Sequence, residues 1–85
     1  MTDSAIAARL INALEAGADR EAGGQTALVS VTIDMLARAD AGAIEAKLVR
    51  KTRTLVFMSA EFRTDSGERI ATASSVHKVR VANGE

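Results

Sequence analysis

The hydrophobic period of the chain changes once, near residue 25, and this change limits the fold more than any other feature. Before it, Ile6, Leu10 and Leu14 fall at helical spacing. After it, apolar and polar residues alternate with the period of a strand, in four segments joined by short turns. Because short turns favour antiparallel pairing, the sequence predicts an α+β domain with one N-terminal helix packed on a four-stranded antiparallel sheet.

The pattern also predicts the bounds of these elements within a single domain, residues 1–85. The helix is expected at about 2–16, with Gly17 as its stop. Its candidate N-caps are Thr2, Asp3 and Ser4. The strands are expected at about 26–36, 43–51, 54–63 and 69–81. Short turns favour a meander, and the third strand, apolar on both faces, is expected in the sheet centre.

The sheet carries more apolar surface than one helix covers. In the first strand Val29, Val31 and Ile33 alternate with polar residues, and the second face keeps apolar side chains of its own. A chain of 85 residues is marginally stable alone, and without cysteine it has no disulfide to help. We therefore expect oligomerisation to complete the fold, as a homodimer or homotetramer.

Composition argues against several other classes of function. The formal net charge is zero and only 2% of residues are aromatic, so no nucleic-acid surface is expected. With no cysteine and one histidine, neither a metal site nor a cofactor is expected. No apolar run approaches the ~20 residues that span a bilayer, and no signal peptide is apparent. The expected compartment is the cytoplasm, with no membrane contact.

Four stretches of the sequence resemble the hotdog-fold acyl-CoA thioesterases of the phenylacetate-degradation type. The first, MTDSAIAA, is similar to the start of that family's central helix, where an acidic residue precedes small ones. The others resemble its strands, basic turn and last hairpin, at residues 27–42, 49–62 and 65–74. The resemblance implies a curved sheet around the helix, subunits paired edge to edge, and a thioester site at the subunit interface.

The resemblance also implies roles for particular residues. Asp3 matches the catalytic carboxylate, and Ser30 matches a strand hydroxyl that orients the attacking water. The other interpretation of Asp3 is an N-cap, and that of Ser30 is a structural hydroxyl. The basic turn is similar to the part of the family that meets the phosphates of coenzyme A, although such turns are also common on solvated surfaces. Its residues are Arg50, Lys51 and Arg53.

The chain departs from the family pattern before the helix. The family has a strand and a His-Gly-Gly motif there, and this sequence starts at or inside the helix. We expect either that Met1 is an internal methionine mistaken for a start, or that the protein is a naturally shortened hotdog domain. The leading function is thioester hydrolysis, and the alternative is a non-catalytic domain that binds acyl-CoA or only oligomerises. The single histidine, His77, is expected to be structural.

Overall fold

The computed structural model describes residues 1–80, which form one helix and one antiparallel sheet. The elements in chain order are α1 (Asp3–Ala22), β1 (Thr26–Met35), β2 (Ala43–Lys51), β3 (Leu55–Arg63) and β4 (Arg69–Val79). The helix packs on one face of the sheet, which confirms the predicted α+β class. The predicted end of the last strand, Val81, lies outside the described residues.

The helix is longer than predicted, and the predicted stop at Gly17 is wrong. Gly17 is buried inside the helix, where an added Cβ would lie 2.6 Å from Cε of Met58 on the sheet. The glycine therefore serves a close approach of helix to sheet. The helix ends instead at Gly23, whose φ of 72° is left-handed and whose N–H donates to the Arg20 carbonyl.

The strand order is β1-β4-β3-β2, so the predicted meander is only partly correct. The strands β2, β3 and β4 pair in succession, and β3 is interior as expected. The strand β1, however, pairs with β4 and not with β2. The connection at 36–42 crosses from one sheet edge to the other, and seven extended residues reach roughly 25 Å, enough to pass three strand spacings.

A bulge interrupts each edge strand at nearly the same level of the sheet. The register of β1 against β4 shifts between Leu28 and Ser30, and that of β2 against β3 shifts between Leu48 and Arg50. The predicted unbroken alternation of β1 is therefore wrong at Val29. Bulges bend and twist a strand, so this pair helps to curve the sheet around the helix.

The core lies between the helix and the sheet. Ile6, Leu10 and Leu14 are buried, as the helical spacing predicts, and Phe62 on β3 is fully buried beneath them. The opposite, outer face of the sheet is mainly polar, so the expectation of a second apolar face is wrong. Its cross-strand rows include Ser30 with Val76, Phe57 and Arg50, and Thr32 with Ser74, Ser59 and Lys47. Apart from Met1, the exposed large apolar side chains lie on the edge strands and at their ends.

Candidate functional site

Asp3 lies in a depression of about 220 Å³ between the start of the helix and the end of β1. Met35, Leu36, Ala37 and Arg38 form the rest of its lining. Because β1 runs antiparallel to α1, the last residues of β1 come back to the helix start. The depression combines a carboxylate and a guanidinium with apolar surface, and Leu36 is 53% exposed beside them.

The start of the helix is capped by Thr2 and not by Asp3. The Thr2 hydroxyl accepts a hydrogen bond from the Ala5 amide at 3.1 Å, and the Thr2 carbonyl accepts one from the Ile6 amide. The N-cap interpretation of Asp3 is therefore wrong, and its carboxylate is not needed for capping. The amides of Asp3 and Ser4, which belong to the first helical turn, have no intrahelical carbonyl partner.

Ser30 lies on the outer face of the sheet, away from Asp3. It lines a second, shallow depression of about 290 Å³ whose other walls include Thr32, Phe57 and Ser74. Ser30 is separated from Met35 by five residues along β1, roughly 17 Å. The structure therefore does not bring the two predicted catalytic side chains together within one subunit.

The predicted CoA-binding turn lies at the other end of the helix from Asp3. A helix of 20 residues is roughly 30 Å long, which separates Arg50, Lys51 and Arg53 from Asp3 within one subunit. Lys51 Nζ donates to the carbonyl of Glu21 at 2.7 Å. This contact satisfies a carbonyl in the last turn of α1 and places a cation at the negative end of the helix dipole.

The start of β1 is fixed to the helix by a residue that the sequence analysis missed. Asp19 accepts hydrogen bonds from the Thr26 amide at 2.8 Å and from the Thr26 hydroxyl at 2.7 Å. These hydrogen bonds lower the pKa of the Asp19 carboxyl below its ordinary value. The signal in the sequence is weak, because Asp19 lies between the predicted helix at 2–16 and the predicted strand at 26–36.

His77 is fully buried under the helix, next to β1. Its Nε2 lies 2.7 Å from the Ser75 hydroxyl, and its Nδ1 has no hydrogen-bond partner among the described residues. Burial lowers the pKa of His77 because it disfavours the imidazolium, and the nearby carboxylates of Glu15 and Asp19 oppose this only in part. The expected structural role of His77 fits this position, between Leu28 of β1 and Val56 of β3.

The described residues contain no group of three or more His, Cys, Asp or Glu side chains placed to hold a metal ion. Within residues 1–80, the single helix α1 has too few apolar residues to cross a bilayer.

No protein-family profile matches the chain, and no curated protein matches it significantly in sequence. Solved structures do match in shape. The chain is similar to the BH2602 protein from Bacillus halodurans, solved with CoA, at a TM-score of 0.82 and 16% identity over 92% of this chain and 58% of that one. It is also similar to a protein from the thioesterase superfamily, at a TM-score of 0.70 and 15% identity over 86% of this chain and 60% of that one.

The fold is therefore that of the hotdog proteins, with one helix packed on a four-stranded antiparallel sheet. The chain spans about three fifths of the length of these solved structures, 58% and 60%. At 15–16% identity the likeness establishes the fold alone.

Proposed function

We propose that the protein hydrolyses an acyl-CoA thioester at an interface between two copies, with Asp3 as the general base. The observation that carries this proposal is the position of Asp3, in a depression at the end of the edge strand β1 that also exposes Leu36 and Arg38. The CoA bound to the BH2602 protein and the thioesterase-superfamily fold of the second neighbour support an acyl-CoA ligand. We take the compartment to be the cytoplasm.

The chemistry follows from the groups at the helix start. The Asp3 carboxylate removes a proton from a water molecule, which attacks the thioester carbonyl carbon. The amides of Asp3 and Ser4, at the positive end of the helix dipole, stabilise the oxyanion that forms. The tetrahedral intermediate then collapses and expels the CoA thiolate. The apolar side chains of Met35 and Leu36 contact the acyl group.

The site requires a second copy in this proposal. The depression opens at the end of β1. This strand is at the edge of the sheet, and among the described residues no strand pairs with its free edge. Two copies paired along β1 enclose the depression and exclude water from the thioester. Exclusion of water strengthens the electrostatic interactions between the thioester and the groups of the depression. In this arrangement Ser30, near the middle of β1, lies close to the twofold axis and roughly 17 Å from the Asp3 end of β1 in either copy, so the proposal gives it no part in the chemistry. The predicted CoA-binding cations, Arg50, Lys51 and Arg53, lie on or next to β2, at the opposite edge of the sheet from this seam.

Hydrolysis of a panel of short-chain, long-chain and aromatic acyl-CoA esters tests the proposal. We expect turnover by the unaltered chain and a loss of roughly 100-fold or more in Asp3→Asn, because removal of a general base usually costs that much. Asp65→Asn, in the exposed β3–β4 turn, makes the same chemical change elsewhere and should retain full activity. Equal rates for Asp3→Asn and the unaltered chain would remove Asp3 from the mechanism.

The alternative is a non-catalytic hotdog domain that binds acyl-CoA or only oligomerises. It is favoured by the separation of the two predicted catalytic side chains, because Asp3 and Ser30 line different depressions on different sides of the sheet. Calorimetry separates the two functions. Binding of acyl-CoA without turnover by any ester of the panel would establish the binding domain, and absence of both would leave an oligomerisation module.

A further inference from the structure

Charge is segregated along the described part of the chain, although the formal net charge of the whole is zero. One end of the sheet contains the end of α1, the start of β1, the β2–β3 turn and the end of β4. Its cations are Arg20, Arg50, Lys51, Arg53, Lys78 and Arg80, against Glu15, Asp19 and Glu21. We name this the basic end.

The opposite, acidic end contains the start of α1, the end of β1, the start of β2 and the β3–β4 turn. Its carboxylates are Asp3, Asp34, Asp40, Glu45, Glu61, Asp65 and Glu68, against Arg9, Arg38, Arg63, Arg69 and the amino terminus. Glu61 already pairs with Arg63 and Arg69, at 2.8 and 3.3 Å. The other carboxylates leave this end negative.

The charge separation fits a twofold pair along β1. A twofold axis perpendicular to the sheet makes the two copies of β1 antiparallel, so the start of β1 in one subunit lies beside its end in the other. The basic end of each subunit then meets the acidic end of its partner. This attraction favours the pairing and also places cations of one subunit near the partner's Asp3 depression.

The cations nearest to this seam are not those of the predicted turn. Lys78 on β4 pairs in register with Ala27 on β1, and the Arg80 guanidinium donates to the Gln25 side chain at 3.2 Å. At one strand spacing from β1, Lys78 is roughly 10 Å from a paired β1 of the partner. Arg50 and Lys51 belong to β2, on the far edge of the sheet.

We propose that Lys78 and Arg80 of each subunit bind the nucleotide phosphates of the CoA ester whose acyl group occupies the partner's Asp3 depression. This proposal rests on the proposed function for its ligand. Ammonium and guanidinium groups suit phosphate, which carries most of the charge of such an ester. The long pantetheine arm joins the phosphates to the thioester, so the two halves of the site need not touch.

Calorimetry with CoA itself tests the cation assignment. The double variant Lys78→Gln, Arg80→Gln should bind CoA about tenfold more weakly, and the difference should shrink at high salt as screening increases. Arg69→Gln, a cation at the acidic end of the same strand, should bind as the unaltered chain does. Three results would overturn the proposal: no CoA binding by the unaltered chain, no loss in the double variant, or a larger loss in Arg50→Gln, Arg53→Gln.

A mixed dimer tests whether the two halves come from different subunits. One chain carries Leu36→Glu, which places a charge where the acyl group lies, and the other carries Lys78→Gln with Arg80→Gln. If each site combines both subunits, one site receives every change and the other receives none. Titration with a non-hydrolysable acyl-CoA thioether should then show one full-affinity site per dimer. The absence of any full-affinity site would place both halves in the same subunit.

These binding tests do not depend on turnover. A chain that binds CoA through Lys78 and Arg80 but hydrolyses no ester would remove the hydrolase function and leave this site in place. If the Lys78→Gln, Arg80→Gln variant bound the ester with full affinity and hydrolysed it, the hydrolase function would stand and the proposed phosphate site would be removed.

Discussion

The described part of the sheet has two edge strands, and they differ in charge. The strand β1 contains one charged residue, Asp34, in ten, whereas β2 contains four in nine: Glu45, Lys47, Arg50 and Lys51. Both expose a valine at a bulge, Val29 at 59% and Val49 at 63%. Charged side chains on an edge discourage the addition of another strand, so β2 is protected and β1 is not. The comparison indicates that β1 is the edge suited to pairing.

The two edges are also fixed to the helix differently. Asp19 of the helix accepts two hydrogen bonds from Thr26 at the start of β1. At the other edge, Lys51 of β2 reaches the Glu21 carbonyl. In the contact with β1 the charged side chain, Asp19, belongs to the helix. In the contact with β2 the charged side chain, Lys51, belongs to the sheet. Changes at each edge therefore test its role separately.

The largest expected effect is on association. Val29→Lys places a cation from each copy near the twofold axis of a β1 pair, and like charges at an interface cost several kcal/mol, so the dissociation constant should rise by about 100-fold. Val49→Lys makes the same change at the matching bulge of β2. It should leave association unchanged, as measured by sedimentation equilibrium. A similar weakening in both variants would end the distinction between the edges.

The next effect is on stability, at the place where the helix meets the β2 side. Gly17→Val forces side-chain atoms against Met58 and Ala46, and overpacking of this kind costs about 2 kcal/mol. Denaturant unfolding measures the loss. Ala16→Val puts the same side chain on an exposed helix position and should cost less than about 1 kcal/mol, from propensity alone. Equal losses would mean that the helix moves away from the sheet without strain.

A smaller effect should separate the two polar contacts with the helix end. Lys51→Met removes the cation from the Glu21 carbonyl and should lower the free energy of unfolding by about 1 kcal/mol. Asp19→Ala should act locally and speed hydrogen exchange of the Thr26 amide, which loses its acceptor. Exchange measured by NMR in both variants tests this. Unchanged protection of Thr26 in Asp19→Ala would show that the contact does not hold β1.

The smallest effect is a pH dependence of stability that comes from His77, which is buried on β4 next to β1. Burial lowers the pKa of His77 in the folded state, so the unfolded chain binds the proton more tightly. Stability is therefore fully present above the ordinary histidine pKa of about 6.5 and falls as pH decreases below it. Unfolding measured from about pH 8 to about pH 5 should show this fall. His77→Gln should flatten the curve in that window, and an unchanged slope would assign the titration to other groups.

The sequence predicted the fold class well because hydrophobic period is a local property. The stripe of Ile6, Leu10 and Leu14 and the four alternating segments are visible without knowledge of any contact. The pairing of β1 with β4 is not predicted, because short turns suggest that strands consecutive in sequence pair with each other. The seven-residue connection between β1 and β2 crosses the sheet, so these two strands are at opposite edges. Gly17 was misread because a glycine that stops a helix and one that permits close packing look alike.

The candidate site was predictable only in part. Asp3 stands out by its resemblance to a family motif, but the walls of its depression come from residues more than 30 positions away, at Met35 to Arg38. The side on which Ser30 lies depends on the bulge at Val29, which no local pattern announces. Lys78 and Arg80, which we propose for the CoA phosphates, have no such signal, because their nearness to β1 follows from strand order, a long-range property.

The molar mass of the unaltered chain in solution, from light scattering at micromolar concentration, tests the pairing of two copies along β1 most directly. A mass near twice the 8.9 kDa of one chain, returning to 8.9 kDa in Val29→Lys but not in Val49→Lys, is the expected result. A folded chain of 8.9 kDa, or an assembly that Val49→Lys dissociates instead, would contradict it.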